Sequence, residues 1–247
     1  MPFLALVTGS AHRLGKAFAL SLARQGYALL LHYNNAESES QQTADEIRLL
    51  GVPVYLAQAD LTQPDQIQSL VSNLDFILTK EKKLEFNVLV NSAAIMQRSD
   101  IDSLSLEDWD STFALNVRAP FALSKSLSTR MTQGGLIVNV TDIGAKKAWS
   151  GYPAYTVSKS ALESLTRVLA RALAPSIRVN AIAPGLILQP SPRSDVVSSE
   201  QWNKLVNRLP LKRAATLDEV TSALEFLLKN EYITGQTIVV DGGYSLI

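Results

Sequence analysis

The chain has 247 residues, enough for one large α/β domain with a substantial core and somewhat long for a single all-α or small β unit. Its 23 basic residues balance its 23 acidic ones, which removes any global electrostatic reason to expect nucleic acid or an anionic membrane as partner. With no cysteine, disulfides, thiolate metal sites and a cysteine nucleophile are excluded, and with two histidines no metal centre is expected.

The N-terminal MPFLALV is apolar but has no basic region ahead of it and is followed by no apolar run near the ~18 residues of a membrane span, so a soluble, cytoplasmic protein is expected. Phe3 to Val7 reads as a strand ending at Thr8-Gly9, and after Gly15 the run KAFALSLARQG has helical spacing with Gly26 as its stop. Tyr27 to His32 is a second strand, Ala36 to Leu50 a mostly polar helix stopped by Gly51, and Val54 to Ala57 a third strand leading into Ala59-Asp60-Leu61. Pro64 opens a helix to about Thr79, and a fourth strand, Asn87 to Val90, leads into Asn91-Ser92-Ala93-Ala94. One long helical region is expected from Leu106 to Met131, then Gly134-Gly135 opens a fifth strand, Leu136 to Val140. Leu162, Leu165, Leu169 and Leu173 mark a helix from Pro153 that Pro175 ends; strand Ile177 to Ile182, helix Leu217 to Lys229 and strand Thr237 to Val240 complete the series.

Apolar strands each followed by a helix predict a doubly wound α/β fold of the Rossmann type, a parallel sheet of about seven strands with helices on both faces. No repeat or charge block divides it, so residues 1–247 read as a single domain. Residues 186–209, with Pro190 and Pro192 flanking a serine, break the rhythm and read as an irregular substrate loop or lid.

Thr8-Gly9-Ser10-Ala11-His12-Arg13-Leu14-Gly15 falls between the first strand and first helix, where a dinucleotide pyrophosphate meets a helix N-terminus and exposed backbone N–H groups. A carboxylate at the end of the second strand would accept from the ribose 2′-hydroxyl of NAD and repel a 2′-phosphate. LLLHYNN, residues 29–35, carries none, and with Arg13, His32, Asn34 and Asn35 as polar contacts NADP is favoured over NAD. Asp60 stands where it can reach the adenine amino group or cap its own turn. Tyr155 and Lys159 lie four residues apart at the start of a helix, on one face, where an ammonium favours the phenolate and eases release of its proton.

These blocks in this order resemble the short-chain dehydrogenase/reductase family over nearly the whole chain. Thr8, Gly9 and Gly15 meet its glycine turn, with Arg13 replacing the middle glycine; Asn91-Ser92-Ala93-Ala94 matches the segment after strand four; Leu115 to Pro120 reads LNVRAP. Tyr155 and Lys159 form its YxxxK pair, Pro184-Gly185 follows, and ITGQTIVVDGG at 233–243 is similar to its C-terminal strand. The resemblance implies NADPH as cofactor and a cofactor-binding set of Gly9, Arg13, Leu14 and Gly15, His32, Asn34 and Asn35, Asp60 and Leu61, Asn91 and Ala93, Tyr155 and Lys159, Pro184 and Gly185. It implies catalytic roles for Asn116, Asp142, Tyr155 and Lys159, a small-molecule substrate and a homotetramer.

Where most members place a serine thirteen residues before the tyrosine, this chain has Asp142. The pteridine reductase branch, including dihydromonapterin reductases, has aspartate there, and it is similar to this chain in Arg13, in His32-Tyr33, in Thr141-Asp142 and in the run at 173–188. That points to hydride transfer to a pterin-type C=N, with Tyr155 or a relayed water protonating nitrogen, Lys159 lowering the tyrosine pKa and Asn116 holding the relay water. Pterin-binding members often place an aromatic ring where Met96 falls. The alternatives are a carbonyl reductase acting on a ketone or 3-oxoacyl thioester and, behind it, a non-catalytic NADP-binding sensor.

Overall fold

The computed structural model describes residues 2–187 and 199–247. Seven strands form one sheet: β1 (Phe3–Val7), β2 (Ala28–Tyr33), β3 (Val54–Gln58), β4 (Glu85–Asn91), β5 (Gly135–Val140), β6 (Ile177–Pro184) and β7 (Thr237–Val240). Every neighbouring pair is parallel, in the order β3-β2-β1-β4-β5-β6-β7. Eight α-helices accompany them among the described residues: α1 (Arg13–Arg24), α2 (Glu37–Arg48), α3 (Pro64–Lys80), α4 (Leu106–Phe113), α5 (Ala119–Ser128), α6 (Pro153–Leu173), α7 (Ser199–Arg208) and α8 (Leu217–Lys229).

The apolar strands are buried on both sides because alternate residues feed two separate cores. Leu4, Leu6 and Leu30 pack with Leu70 and Leu74 of α3, Leu123 and Leu127 of α5 and Leu169 of α6. Ala5, Val7, Leu29 and Leu31 pack on the opposite face with Phe18 and Leu22 of α1, Ile47 of α2 and Leu224 and Leu227 of α8. Two of the helices begin where local chemistry supplies partners for their first N–H groups: Ser105 accepts from Asp108 N–H, and Thr216 and Glu219 form a reciprocal capping box.

The predicted doubly wound parallel sheet is the fold observed, with shifts at its boundaries. The first helix starts at Arg13, so Leu14 and Gly15 belong to its first turn. The single helix expected over 106–131 is interrupted by one turn of π-helix, Ala114–Arg118, and ends at Ser128. In the segment expected to be irregular, residues 199–208 form α7, and the part of the lid at 188–198 lies outside the described residues. SEQWNKLVNR is an amphipathic helix, with Trp202, Leu205 and Val206 at helical spacing on its less exposed face; the prolines and serines just before it make the whole segment read as irregular.

The chain runs outward from β1 to β3 and then returns to place β4 on the other side of β1. The crevice beyond the C-terminal ends of β1 and β4 therefore lies where the strand order reverses. One hydroxyl ties the two ends together: Thr8 Oγ1 accepts the backbone N–H groups of Ser92 and Ala93, both at 3.0 Å.

Candidate active site

Two cavities lie along that crevice. The larger, about 470 Å³, is lined by the glycine turn (Gly9, Ala11 to Gly15), the end of β2 (His32 to Asn35), the turn after β3 (Ala59 to Thr62) and the segment after β4 (Ser92 to Ile95). The smaller, about 230 Å³, is lined by Val140 to Asp142, Tyr155, Lys159, Pro184, Gly185, Ile187 and Leu217. Arg13, Leu14, Ser92 and Ala94 line both, so the two form a continuous groove.

The glycine-turn end of this groove is built by close backbone approach. Gly9 adopts φ +65°, and a Cβ there would stand 2.9 Å from Ala93 Cα. A Cβ at Gly15 would overlap the Gly9 carbonyl oxygen, so any larger residue pushes the turn away from α1. Arg13, exposed, has φ +55° and stands at the junction of the two cavities. Asp60 Oδ1 accepts from the Thr62 N–H at 2.9 Å and its hydroxyl at 2.7 Å, closing its own turn while the residue lines the cavity. Leu61 is buried beside it.

Two residues expected to contact the cofactor do other work. His32 is 2% exposed, and both ring nitrogens are spent on the protein: Nδ1 accepts from Gly9 N–H at 3.1 Å, so Nε2 carries the proton and faces the Ala59 carbonyl at 2.9 Å. Burial lowers its pKa to about 4, and the neutral ring pins the glycine turn to the end of β3, leaving no nitrogen for a phosphate. Asn91 stands behind the cavity wall, 3% exposed, donating to Asn139 Oδ1 at 2.8 Å; Ala93 itself lines the wall. Asn34 and Asn35 are exposed and line the cavity as expected.

At the other end the segment after β5 delivers Asp142 and the first turns of α6 deliver Tyr155 and Lys159. Tyr155 is 6% exposed, and its hydroxyl donates to Asp142 Oδ2 at 2.9 Å. The other carboxylate oxygen, Oδ1, accepts the Gly144 N–H at 2.7 Å. Lys159, 2% exposed, donates from Nζ to the Val140 carbonyl at 2.7 Å and lies 5.6 Å from the centre of the Tyr155 ring. Burial lowers the Lys159 pKa to about 8, with the Asp142 charge opposing. Burial raises the Asp142 carboxyl, while the bonds from Gly144 and Tyr155 and the Lys159 charge pull it back.

The direction at Tyr155 is the reverse of the one expected from Lys159 alone. Burial pushes the phenol well above its usual range, and the neighbouring carboxylate, as charge and as hydrogen-bond acceptor, adds to the rise. A phenol that donates to a carboxylate keeps its proton. The ammonium meanwhile is turned to a backbone carbonyl. The proton therefore rests on Tyr155, directed at Asp142 Oδ2.

Asn116 sits in the π-helical turn, fully buried. Its Oδ1 accepts from Ile95 N–H, and its Nδ2 donates to the Ile95 carbonyl, both at 2.9 Å, and to Ser158 Oγ at 3.0 Å. Both amide protons are committed, so the side chain acts as a strut fixing the segment after β4 to α6 and does not itself offer a donor to a relay water. Pro184 and Gly185 line the smaller cavity with Tyr155, and a Cβ at Gly185 would stand 2.7 Å from both Cα and Cβ of Asp241 in the turn after β7. Met96 is half exposed and lines neither cavity. Sequence reasoning passed over Thr8 as a tie between strands, and over Gly144 and Trp149, whose roles depend on contacts across the fold; the last two carry no motif of their own.

A crevice of this shape, closed by glycines at one end and by a tyrosine and lysine at the other, suits a dinucleotide-linked oxidoreductase. The chain belongs to the short-chain dehydrogenase/reductase family: a family profile described as enoyl-(acyl carrier protein) reductase matches residues 9–245. The 3-oxoacyl-[acyl-carrier-protein] reductase FabG of Staphylococcus epidermidis is 30% identical over 247 residues, covering 97% of each chain. Among solved structures, FolM alternative dihydrofolate reductase 1 from Brucella suis, in complex with NADP, is 37% identical with a TM-score of 0.87, covering 98% of this chain and 95% of its own. The Brucella canis FolM, also complexed with NADP, is 35% identical with a TM-score of 0.86, covering 99% and 94%.

Proposed function

We propose that this oxidoreductase uses NADPH to reduce a pterin-type C=N bond, as in a dihydropteridine, dihydromonapterin or dihydrofolate-like substrate. The observation that carries the reading is the carboxyl of Asp142, where a hydroxyl would serve a ketone, bonded to Tyr155 on the wall of the smaller cavity. The likeness to two proteins named as alternative dihydrofolate reductases supports the same substrate class.

The groove suits NADP. Glycines allow a pyrophosphate to approach the backbone at the start of α1, Arg13 offers a guanidinium, and β2 ends in Tyr33-Asn34-Asn35 with no carboxylate to repel a 2′-phosphate. When bound, the cofactor supplies the hydride. The chain's own residues hold and move the proton. A ring nitrogen is more basic than a ketone oxygen, and as it gains charge on hydride delivery the proton resting on Tyr155 passes to it through the Asp142 carboxyl, whose raised pKa suits it to the relay. Lys159 supplies positive charge that steadies the Asp142–Tyr155 pair as the proton leaves.

Asp142→Ser is expected to lose dihydropterin turnover by ~100-fold or more, the usual loss of one general acid, while retaining NADPH binding. NADPH oxidation followed against dihydropterins and a ketone panel checks this, and unchanged dihydropterin turnover would sink the proposed role. A second reading, reduction of a 3-oxoacyl thioester or other ketone, draws on the FabG relative; turnover of ketones and not of dihydropterins by the unmodified enzyme would favour it.

A further inference from the structure

The Asp142 carboxylate is held by one backbone N–H, that of Gly144, and Gly144 in turn is covered by an indole. A Cβ on Gly144 would stand 2.8 Å and 2.9 Å from two carbons of the Trp149 six-membered ring and 3.0 Å from Asp142 Oδ1. The glycine is therefore needed for contact and not for an unusual backbone angle: its missing side chain lets the ring rest on the loop that carries the carboxylate. Trp149 is itself braced. Its ring lies edge-on to Tyr152 with centroids 6.3 Å apart and tilted against Tyr244 at 6.4 Å. Lys147 donates to the Ile247 carbonyl and sits 4.6 Å over the Tyr244 ring, which fastens the turn Tyr244–Leu246 to the same loop. From α6, Ser160 Oγ donates to the Ala145 carbonyl at 2.7 Å.

We infer that Trp149 is a positioning residue that acts through Gly144 on Asp142, pressing the loop against α6 so that the part-buried carboxylate stays shielded on that side and within reach of the Tyr155 hydroxyl. The charged and titratable groups facing that carboxylate are Tyr155 and Lys159, both from α6. Trp149 contributes no charge; it contributes the exclusion of water and the placement of the Gly144 N–H. Displacing a reacting group by about 1 Å can cost as much as ~100-fold in rate, so a packing contact of this kind is enough to govern the chemistry.

The inference rests on the catalytic role proposed for Asp142, and a readout independent of turnover separates the two. With 13C-labelled aspartate, the carboxyl resonance of Asp142, assigned by its absence in Asp142→Asn, reports its titration directly. Trp149→Leu is expected to move that midpoint downward, toward an ordinary carboxylate, and to lower kcat about tenfold with KM and NADPH affinity within about twofold. Trp149→Phe restores both. Gly144→Ala, in which the new methyl group drives the intact indole away, moves the midpoint in the same direction and serves where the leucine variant fails to fold. An unmoved midpoint in Gly144→Ala or in a folded Trp149→Leu overturns the inference, as does a rise in KM with kcat unchanged, which would make Trp149 a substrate contact. A shifted midpoint in an enzyme that turns over no dihydropterin upholds the positioning role and discards the pterin reading.

Discussion

The two ends of the groove hold their shape by different physics. At the glycine-turn end, the one proposed for the nucleotide, the parts are backbone N–H groups, small residues and a neutral histidine; close steric approach does the positioning, and His32 is buried without charge. At the chemical end three titratable groups are packed together, Tyr155 and Lys159 buried and Asp142 partly so, and the balance of burial against mutual charge decides where the proton sits. A shape-built site fails when an atom is added. A charge-built site fails when one is removed or when the pH changes.

The sharpest separation comes from deleting one oxygen. Tyr155→Phe removes the hydroxyl that donates to Asp142, and kcat is expected to fall ~10²- to 10⁴-fold, the range of general acid catalysis, with NADPH affinity within about twofold. Single-turnover NADPH oxidation and a cofactor titration on the same sample check both halves; a parallel loss of NADPH binding would break the division between the ends.

Adding one carbon at the other end inverts the pattern. Gly15→Ala places a methyl group against the Gly9 carbonyl, so NADPH binding is expected to be lost and unfolding free energy to fall by about 3 kcal/mol, the upper range for overpacking. Denaturant unfolding and a binding titration measure the two effects. The Asp142–Tyr155 hydrogen bond does not touch this turn, so the 13C titration of Asp142 in the variant stays near that of the parent.

A pH series divides the ends through stability alone. His32 titrates at about 4 in the folded chain and 6.5 as a free group, so the unfolded chain binds the extra proton between these values. Stability tied to it is fully present above pH 6.5 and is lost as pH falls toward 4, by about 3 kcal/mol at ~1.4 kcal/mol per unit. Lys159, lowered from 10.5 to about 8, follows the same sign in another window: the folded chain binds fewer protons there, and stability rises as pH increases from 8 toward 10.5. Urea unfolding of the cofactor-free protein is expected to lose its acid slope in His32→Gln and its alkaline slope in Lys159→Met. If each variant alters the other's window, the ends are coupled and the comparison fails.

Much of this was legible in the chain. The strand positions, the helix faces, the glycine turn and the absence of a carboxylate after β2 are properties of a few neighbouring residues, and hydrophobic periodicity and glycine placement report them directly. Asp142 stood out because its identity is chemical and its spacing to Tyr155 is fixed. Helix α7 carries Trp202, Leu205 and Val206 at helical spacing, but its short stripe follows a proline- and serine-rich stretch that reads as irregular, and the π-helical turn in the 106–128 region was hidden because a helical pattern does not reveal one extra residue per turn.

The sequence by itself determined a parallel α/β sheet, a glycine turn after its first strand, and the identity and spacing of Asp142, Tyr155 and Lys159. Only the tertiary structure decided what those groups do to one another. It spent both nitrogens of His32 on the scaffold, committed the Asn116 amide to Ile95 and Ser158, raised the Tyr155 pKa where a lysine nearby predicted a fall, and laid Trp149 over Gly144. The reason is that desolvation and hydrogen-bond allegiance depend on everything packed around a group, most of it distant along the chain, and no local pattern of residues records them.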